Sequence, residues 1–308
     1  MTMRDAFLSR VYELAKENPD IIVLSADMGA PALDKFRKHL ASQFFSTGIA
    51  EQNTILIGAG LALEGKKVFA LAIAPFITLR CYEQIRIELA AMNLPVTIVG
   101  VGAGFGYDDS GPTHHAVEDL SVLRILPNFT IHNATDNVMA RAFVDLSCKM
   151  PGPNYVRLDR KILPIIYQEE TDFSQGLSVL KESQDIYLIA TGNMVHRALE
   201  VAEVLKNHSL KVGVIDIYTF PINEKLLLEK IDGVKKVITI EEHTLPGGLG
   251  SAVAEILMDN NKFIPLKRIG LNLSKGYCYK YGGRENIQSL YGLDKKSLAK
   301  TILEFAKK

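Results

Sequence analysis

Short apolar runs rich in branched residues alternate along the chain with longer stretches in which apolar side chains recur every three or four positions. The runs predict strands over 21–25, 44–46, 68–73, 96–99, 129–132 and 155–158, and the longer period predicts helices over 5–17, 52–63, 78–91 and 137–148. The first helix is expected to stop before Asn18-Pro19, because a proline ring disfavours helical geometry in its predecessor. The pattern lapses between Lys161 and Leu180 into ILPIIYQEETDFSQG, a polar stretch without clear period. A second series follows, with strands over 186–190, 212–216, 236–240 and 265–271 and helices opening near Met194, Asn223 and Ser251. The expected fold is therefore α/β with two domains, each a mainly parallel sheet flanked by helices: residues 1–160, a linker over 161–180, and residues 181–308.

Composition narrows the partners rather than the fold. The 308 residues suit two domains of about 150 each. Lys plus Arg and Asp plus Glu both number 35, and no basic stripe collects on any segment, which argues against nucleic acid or an anionic membrane as the main partner. The longest nearly apolar run, 68–79, is held between Lys67 and Arg80 and falls short of the roughly 20 residues that cross a bilayer. Arg4 and Asp5 stand where an export signal would be apolar, so none is expected. Cys81, Cys148 and Cys278 are odd in number and widely spaced, which suits a reducing cytoplasm better than a disulfide framework.

Four segments could carry chemistry. Gly100, Gly102, Gly104 and Gly106 follow a strand, yet their GxGxGxG order lacks the GxGxxG spacing that opens a dinucleotide-binding helix, so a turn at the strand's carboxyl end is the better reading. The same loop continues through Asp108, Asp109, Ser110, His114 and His115, with no CxxC or HExxH spacing for a metal, and Gly111-Pro112 fixes its turn. In TGIAEQN, Glu51 is either a first-turn acid favoured by the helix dipole or a functional carboxylate. In LPGGLGSAVAE, Gly247, Gly248 and Gly250 allow either an anion at the helix start or close packing of turn and sheet.

Taken in order, GIAEQN, FITLRCY, GPTHH, EEH and PGGLG resemble the C-terminal half of transketolase, its pyrimidine-binding domain and C-terminal domain, from about Arg4 onward. The resemblance implies thiamine diphosphate as cofactor, with Glu51 hydrogen-bonded to N1′ of its aminopyrimidine; a buried charge-assisted bond of that kind is worth roughly 1.5 to 3 kcal/mol. It puts Phe76, Leu79 and Tyr82 at the family's ring-stacking positions, with Leu79 able to give only apolar contact, although all three also suit a core. Asp27 matches an acidic residue near the cofactor. His114, with His115 beside it, matches a histidine that faces the thiazolium and contacts the substrate oxygen; Arg4 and Arg160 match arginines that grip a sugar phosphate.

The chain also departs from the family. Ser110 stands where ordinary transketolases carry the aspartate that reads a substrate hydroxyl, Gly102 where they carry a histidine, and Pro31 where they carry a phosphate-contacting serine. These losses point to a specialised sugar. The GDG motif of the domain that binds magnesium and the diphosphate is absent. The resemblance therefore implies the C-terminal subunit of a split enzyme: a separate subunit supplies the diphosphate site and Mg2+, two copies of each chain assemble as a heterotetramer, and a two-carbon ketol unit moves from a ketose, expected to be phosphorylated, to an aldose. The rival readings are a decarboxylating enzyme like deoxyxylulose-phosphate synthase, whose corresponding helix YEQ after Arg80 resembles, or like the β subunit of a 2-oxoacid dehydrogenase. A third is a non-catalytic assembly partner.

Overall fold

In the computed structural model, which describes residues 1–274 and 276–307, two sheets carry the chain. The first uses β1 (Ile21–Ser25), β2 (Phe44–Ser46), β3 (Lys67–Ile73), β4 (Val96–Val101), β5 (Thr130–Asn133) and β6 (Asn154–Leu158). The second uses β7 (Leu177–Lys181), β8 (Ile186–Ala190), β9 (Gly213–Ile217), β11 (Lys236–Thr244) and β12 (Leu266–Leu271), while β10 (Thr219–Phe220) returns to the first. Their orders are β10-β5-β6-β4-β3-β1-β2 and β12-β11-β8-β9-β7. All pairs are parallel except β10 with β5 and β7 with β9.

Helices on both faces explain why β1, β4 and β6 are buried along their whole length. Ile21 and Val23 pack with Phe7, Val11, Met139 and Phe143 of the helices Met3–Glu17 and Asn137–Lys149. Ile22 and Leu24 point the other way, to Ile55 and Ala59 of the helix Glu51–Leu63. Thr2 caps the first helix by accepting from the Asp5 amide at 3.1 Å, and Asp136 caps Asn137–Lys149 through the Met139 amide at 2.8 Å. In the second sheet, Leu188 and Val214 pack with Val195 and Ala198 of the helix Asn193–Lys206 on one face, and Val237 with Val253 of Leu249–Asp259 on the other.

Two local features differ from the sequence pattern. The helix expected over 78–91 is broken: Ala74–Thr78 forms one turn directly after β3, Tyr82–Gln84 another, and Ile85–Ala91 widens into a π-helix. Thr78 Oγ1 donates to the Ala74 carbonyl at 2.6 Å and Cys81 Sγ to that of Phe76 at 3.2 Å, and such side-chain bonds compete with the regular ladder. The two-residue β10 is invisible to periodicity, yet it lends Thr219 and Phe220 to the edge of the first sheet opposite His132 and Ile131.

The halves are also joined by a buried carboxylate. Asp216 Oδ2, on β9, accepts from Thr135 Oγ1 of the first domain at 2.6 Å and from the Tyr167 hydroxyl at 2.9 Å. Burial pushes its carboxyl up to about 7, against the pull of those two hydrogen bonds. Unfolded, an aspartate titrates near ~3.9, so folding takes up a proton here between about pH 4 and 7, and the contribution to stability falls as pH rises through that window. Asp216→Asn, which carries no charge to desolvate, should therefore gain stability relative to the parent chain as pH rises from 4 to 7, on the order of 2 to 4 kcal/mol by the top of the window. Denaturant melts at several pH values read this difference; a pH-independent offset would contradict it.

Candidate active site

Parallel strands return through crossovers, so the carboxyl ends of the strands of the first sheet share one rim, the usual place for ligands in open α/β sheets. Five segments meet the rim: the turn after β1 with Asp27, the start of the helix Glu51–Leu63 after β2, the broken helix after β3, the loop after β4, and Asp159 to Lys161 after β6.

Glu51 opens its helix as a first-turn acid and is also buried, its side chain only 4% exposed. Arg80, 42% exposed, donates from Nη1 to Glu51 Oε2 at 2.6 Å. The Arg80 guanidinium lies 4.3 Å from the centre of the Phe76 ring. Phe76 in turn meets the His114 ring edge-on at 4.9 Å. His114 stands 5.7 Å from the Tyr107 ring, and Arg160 lies over the same ring at 4.4 Å while donating to Asp109 at 2.9 Å. A continuous file thus runs Glu51, Arg80, Phe76, His114, Tyr107, Arg160, Asp109.

The sequence-derived candidates divide on this geometry. Glu51, Phe76, His114 and Arg160 stand in the file, and Ser110 adjoins it by donating to Asp109 at 3.0 Å. Arg4 borders it: its guanidinium donates to the Gly29 carbonyl at 3.2 Å, and its charge, with that of Arg160, opposes the rise that burial imposes on the Tyr107 hydroxyl. Asp27 is exposed in the turn after β1, with a positive φ of 48°. Leu79 is half-buried, and Tyr82, past the break in the helix, packs against the core. His115 turns away from His114: it is buried, edge-on to Phe105 at 4.9 Å. Arg80 and Tyr107 are not singled out by the sequence. Arg80 closes an otherwise apolar run, and only the break after Thr78 turns it toward Glu51.

Electrostatics set the protonation of the file. Burial lowers His114 below the ordinary imidazole value, opposed by Asp109 and assisted by Arg160 and Arg80. At neutral pH its ring is therefore uncharged, with Nδ1 sharing a hydrogen bond with Thr113 Oγ1 at 2.9 Å. The hydrogen bond from Arg160 holds the Asp109 carboxyl below its usual range. At LPGGLG the choice between anion site and close packing is resolved by Glu241, which accepts from the Leu249 and Gly250 amides at 2.7 and 2.8 Å, so the chain's own carboxylate occupies that helix start.

Residues 1–165 match the family model for the transketolase pyrimidine-binding domain, and 176–298 that for the transketolase C-terminal domain. The chain belongs to the transketolase family. It is 35% identical to one subunit of the apulose-4-phosphate transketolase of Phocaeicola vulgatus, over 99% of this chain and 97% of that protein. It is 33% identical to 1-deoxy-D-xylulose-5-phosphate synthase of Caldanaerobacter subterraneus, over 97% of this chain and 48% of that longer protein. A solved split-gene transketolase, described as an inactive beta4 tetramer, superposes with a TM-score of 0.88 at 33% identity, covering 99% of this chain and 98% of its own. The rim file therefore lies in the domain that the family uses to bind the pyrimidine.

Because Phe76 covers one side of His114, truncating it should rehydrate the imidazole. In Phe76→Ala the His114 titration, followed by NMR of histidine-labelled protein, is expected to move up toward the ordinary ~6.5. An unchanged midpoint would show that Phe76 does not shield the ring.

Proposed function

We propose that this chain is the C-terminal subunit of a split, thiamine-diphosphate-dependent transketolase, which moves a two-carbon ketol unit from a ketose, most simply a ketose phosphate, to an aldose. The observation that carries this reading is the buried Glu51 carboxylate at the head of a file leading through Phe76 to a neutral His114.

The donor set fits the aminopyrimidine half of the cofactor: a carboxylate screened from water, an aromatic face beside it, and apolar Leu79 nearby. Thiamine diphosphate, when bound, supplies the carbon nucleophile and electron sink for cleaving the bond next to a ketone. Glu51 would hold the pyrimidine nitrogen by a charge-assisted hydrogen bond, for which Oε1 is open, since Arg80 occupies only Oε2. Phe76 would bound the ring, and Tyr82 and Asp27 are the remaining candidates for contact with the cofactor. His114, uncharged at neutral pH, exchanges a proton with a substrate oxygen; His115 supports it from behind. Arg160 and Arg4 supply the cations for a substrate anion, Arg160 by exchanging Asp109 for it, and Ser110 offers a hydroxyl at the same edge.

Mg2+ and the diphosphate are assigned to a separate N-terminal partner chain, in keeping with the apulose-4-phosphate relative, itself one subunit of its transketolase. Among the described residues no three His, Cys, Asp or Glu side chains converge as metal ligands. Beside Glu51, the helix Glu51–Leu63 turns Leu56, Ile57 and Leu63 to solvent at 43, 36 and 62% exposure, with Ile49 just before it at 76%. An apolar face of that kind suits burial against another protein chain, and pairing through it would give a homodimer within a heterotetramer. No helix of the described residues is long and apolar enough to cross a membrane, and the balanced charge suits small sugar substrates rather than nucleic acid. A cytoplasmic site of action is in keeping with the three free cysteines.

YEQ, one residue past Arg80, and the 33% identity to deoxyxylulose-phosphate synthase favour a second reading, decarboxylation of a 2-oxoacid donor. Reconstitution separates the two. The chain mixed with its partner, thiamine diphosphate and Mg2+ should transfer ketol units from ketoses without releasing carbon dioxide from 2-oxoacids. Glu51→Gln should lower kcat by about a hundredfold or more. Full activity of this chain alone, or of the Gln variant, would sink the proposal.

A further inference from the structure

The loop after β4 closes on itself at a neck, where Gly104 and Ala116 exchange both backbone hydrogen bonds at 3.0 and 2.9 Å. His114 lies within that loop. Two side chains from the second domain meet the neck, and a third supports them. Glu242 Oε2, on β11, accepts from the Phe105 amide at 3.0 Å. Arg284, at the start of the helix Arg284–Leu290, donates from Nη2 to the Ala103 carbonyl at 3.1 Å and from Nη1 to Asp159 Oδ2 at 2.7 Å. Its backbone amide donates to Asp108 Oδ2 at 2.8 Å, and its guanidinium pairs with Glu242, whose Oε1 also accepts from Gln288 Nε2 at 2.6 Å. The side chains of Glu242 and Asp159 are each 1% exposed and that of Arg284 10%.

Resting on the reading of His114 as the group that meets a substrate oxygen, we propose that Glu242 and Arg284 are positioning residues through which the second domain holds the His114 loop in its working place. Neither is among the ring contacts of His114. The route runs through the neck: Phe105, tied by its amide to Glu242, carries His115 against its ring, one residue from His114. Asp159, tied to Arg284, adjoins Arg160 at the other end of the site. Gly104 makes the approach possible, because at its φ of +57° any Cβ would collide with the Glu242 carboxylate. Stability alone does not account for the arrangement, since buried ion pairs are often replaced by apolar groups at no loss. What a charged cluster adds is a defined geometry for the backbone groups it binds.

The test loosens the neck from both sides. Glu242→Gln removes the charge with little change of shape, and Gly104→Ala forces the carboxylate off the loop; Lys181→Ala, in the exposed Lys181–Glu203 pair, serves as control. The first readout is the His114 titration by NMR in the full chain alone, assigned with His114→Gln. The groups facing His114 are Asp109, Arg160 and Arg80, with Phe76, Tyr107 and the Thr113 hydroxyl. Both variants should shift the midpoint up toward ~6.5 as the ring gains water. The second readout is the reconstituted enzyme, assayed well below the melting temperature of each variant, in which kcat should fall about tenfold or more while the KM for thiamine diphosphate and assembly hold. The melting temperature itself should drop, because Arg284 loses a buried partner. Should Glu242→Gln fail to fold, Arg284→Lys keeps a charge on Asp159 while giving up the Ala103 bond, and the same direction is expected. Folded variants whose His114 titrates as in the parent chain would overturn the proposal, as would a kcat loss that merely follows melting. A parent complex without ketol transfer would instead count against the proposed function, leaving the titration to decide this inference.

Discussion

Arg157 lies in β6 with its guanidinium 3% exposed, and that one buried charge constrains the site more than any other feature. A cation shut away from water has to be met by acceptors on every side. Asp119 accepts from Nε at 2.7 Å, the Ala116 carbonyl from Nη2 at 2.7 Å and Asn133 Oδ1 from Nη1 at 3.4 Å. Two of these lie on the segment by which the His114 loop returns to the body. Asp119 is also met by the Tyr155 hydroxyl at 2.9 Å, and Tyr155 lies so close to Gly100 that no side chain would fit there. The strand leaving for the loop, the segment coming back and the sheet between them are thus fixed by the needs of one charge.

The arginines around the site divide by burial. Arg157 and Arg284 are enclosed, and their partners cannot be exchanged without stranding a charge in a dry interior. Arg4, Arg80 and Arg160 sit at the rim with side chains 23, 42 and 38% exposed, each paired with an acid of the chain. The Arg4–Asp5 and Arg160–Asp109 pairs reach solvent on both sides and pairs of that kind are worth only about 0 to 1 kcal/mol, whereas Arg80 meets a carboxylate that is itself buried. The enclosed pair ties the loops to the body, while the outer cations are themselves within reach of water. A site assembled from loops needs both.

Much of this is legible in the sequence, for reasons that particular segments make plain. Strands buried on both faces, such as β1 and β4, read as unbroken apolar runs, and their places and the two-domain α/β organisation follow from that pattern. GIAEQ and GPTH point to Glu51 and His114 because each motif is local: the residue and the turn that presents it lie within a few positions. Arg80 escapes because the break after Thr78 arises from side-chain bonds to carbonyls, which leave no mark on hydrophobic period. His115 packs on Phe105, whose amide is tied to Glu242 far along the chain, so no local spacing sets it apart from His114. Long-range pairings such as Phe105 with Glu242 and Ala103 with Arg284 have no spacing to read at all, and the same holds for β10, too short to show a period.

Glu51 and Arg80 illustrate how such a long-range pair can be compatible with chemistry. A buried carboxylate needs a hydrogen-bond donor at all times, and in this chain the donor is a guanidinium anchored outside the buried zone. When another donor takes the carboxylate, the charge that leaves is the one that water can reach, so the exchange strands nothing inside. The departing guanidinium also has a place to stay, since the Phe76 face is worth about 0.5 to 1 kcal/mol to a cation at an exposed site. The asymmetry in burial between the two partners, rather than the strength of their bond, would let Glu51 be both satisfied in the free chain and open to another donor.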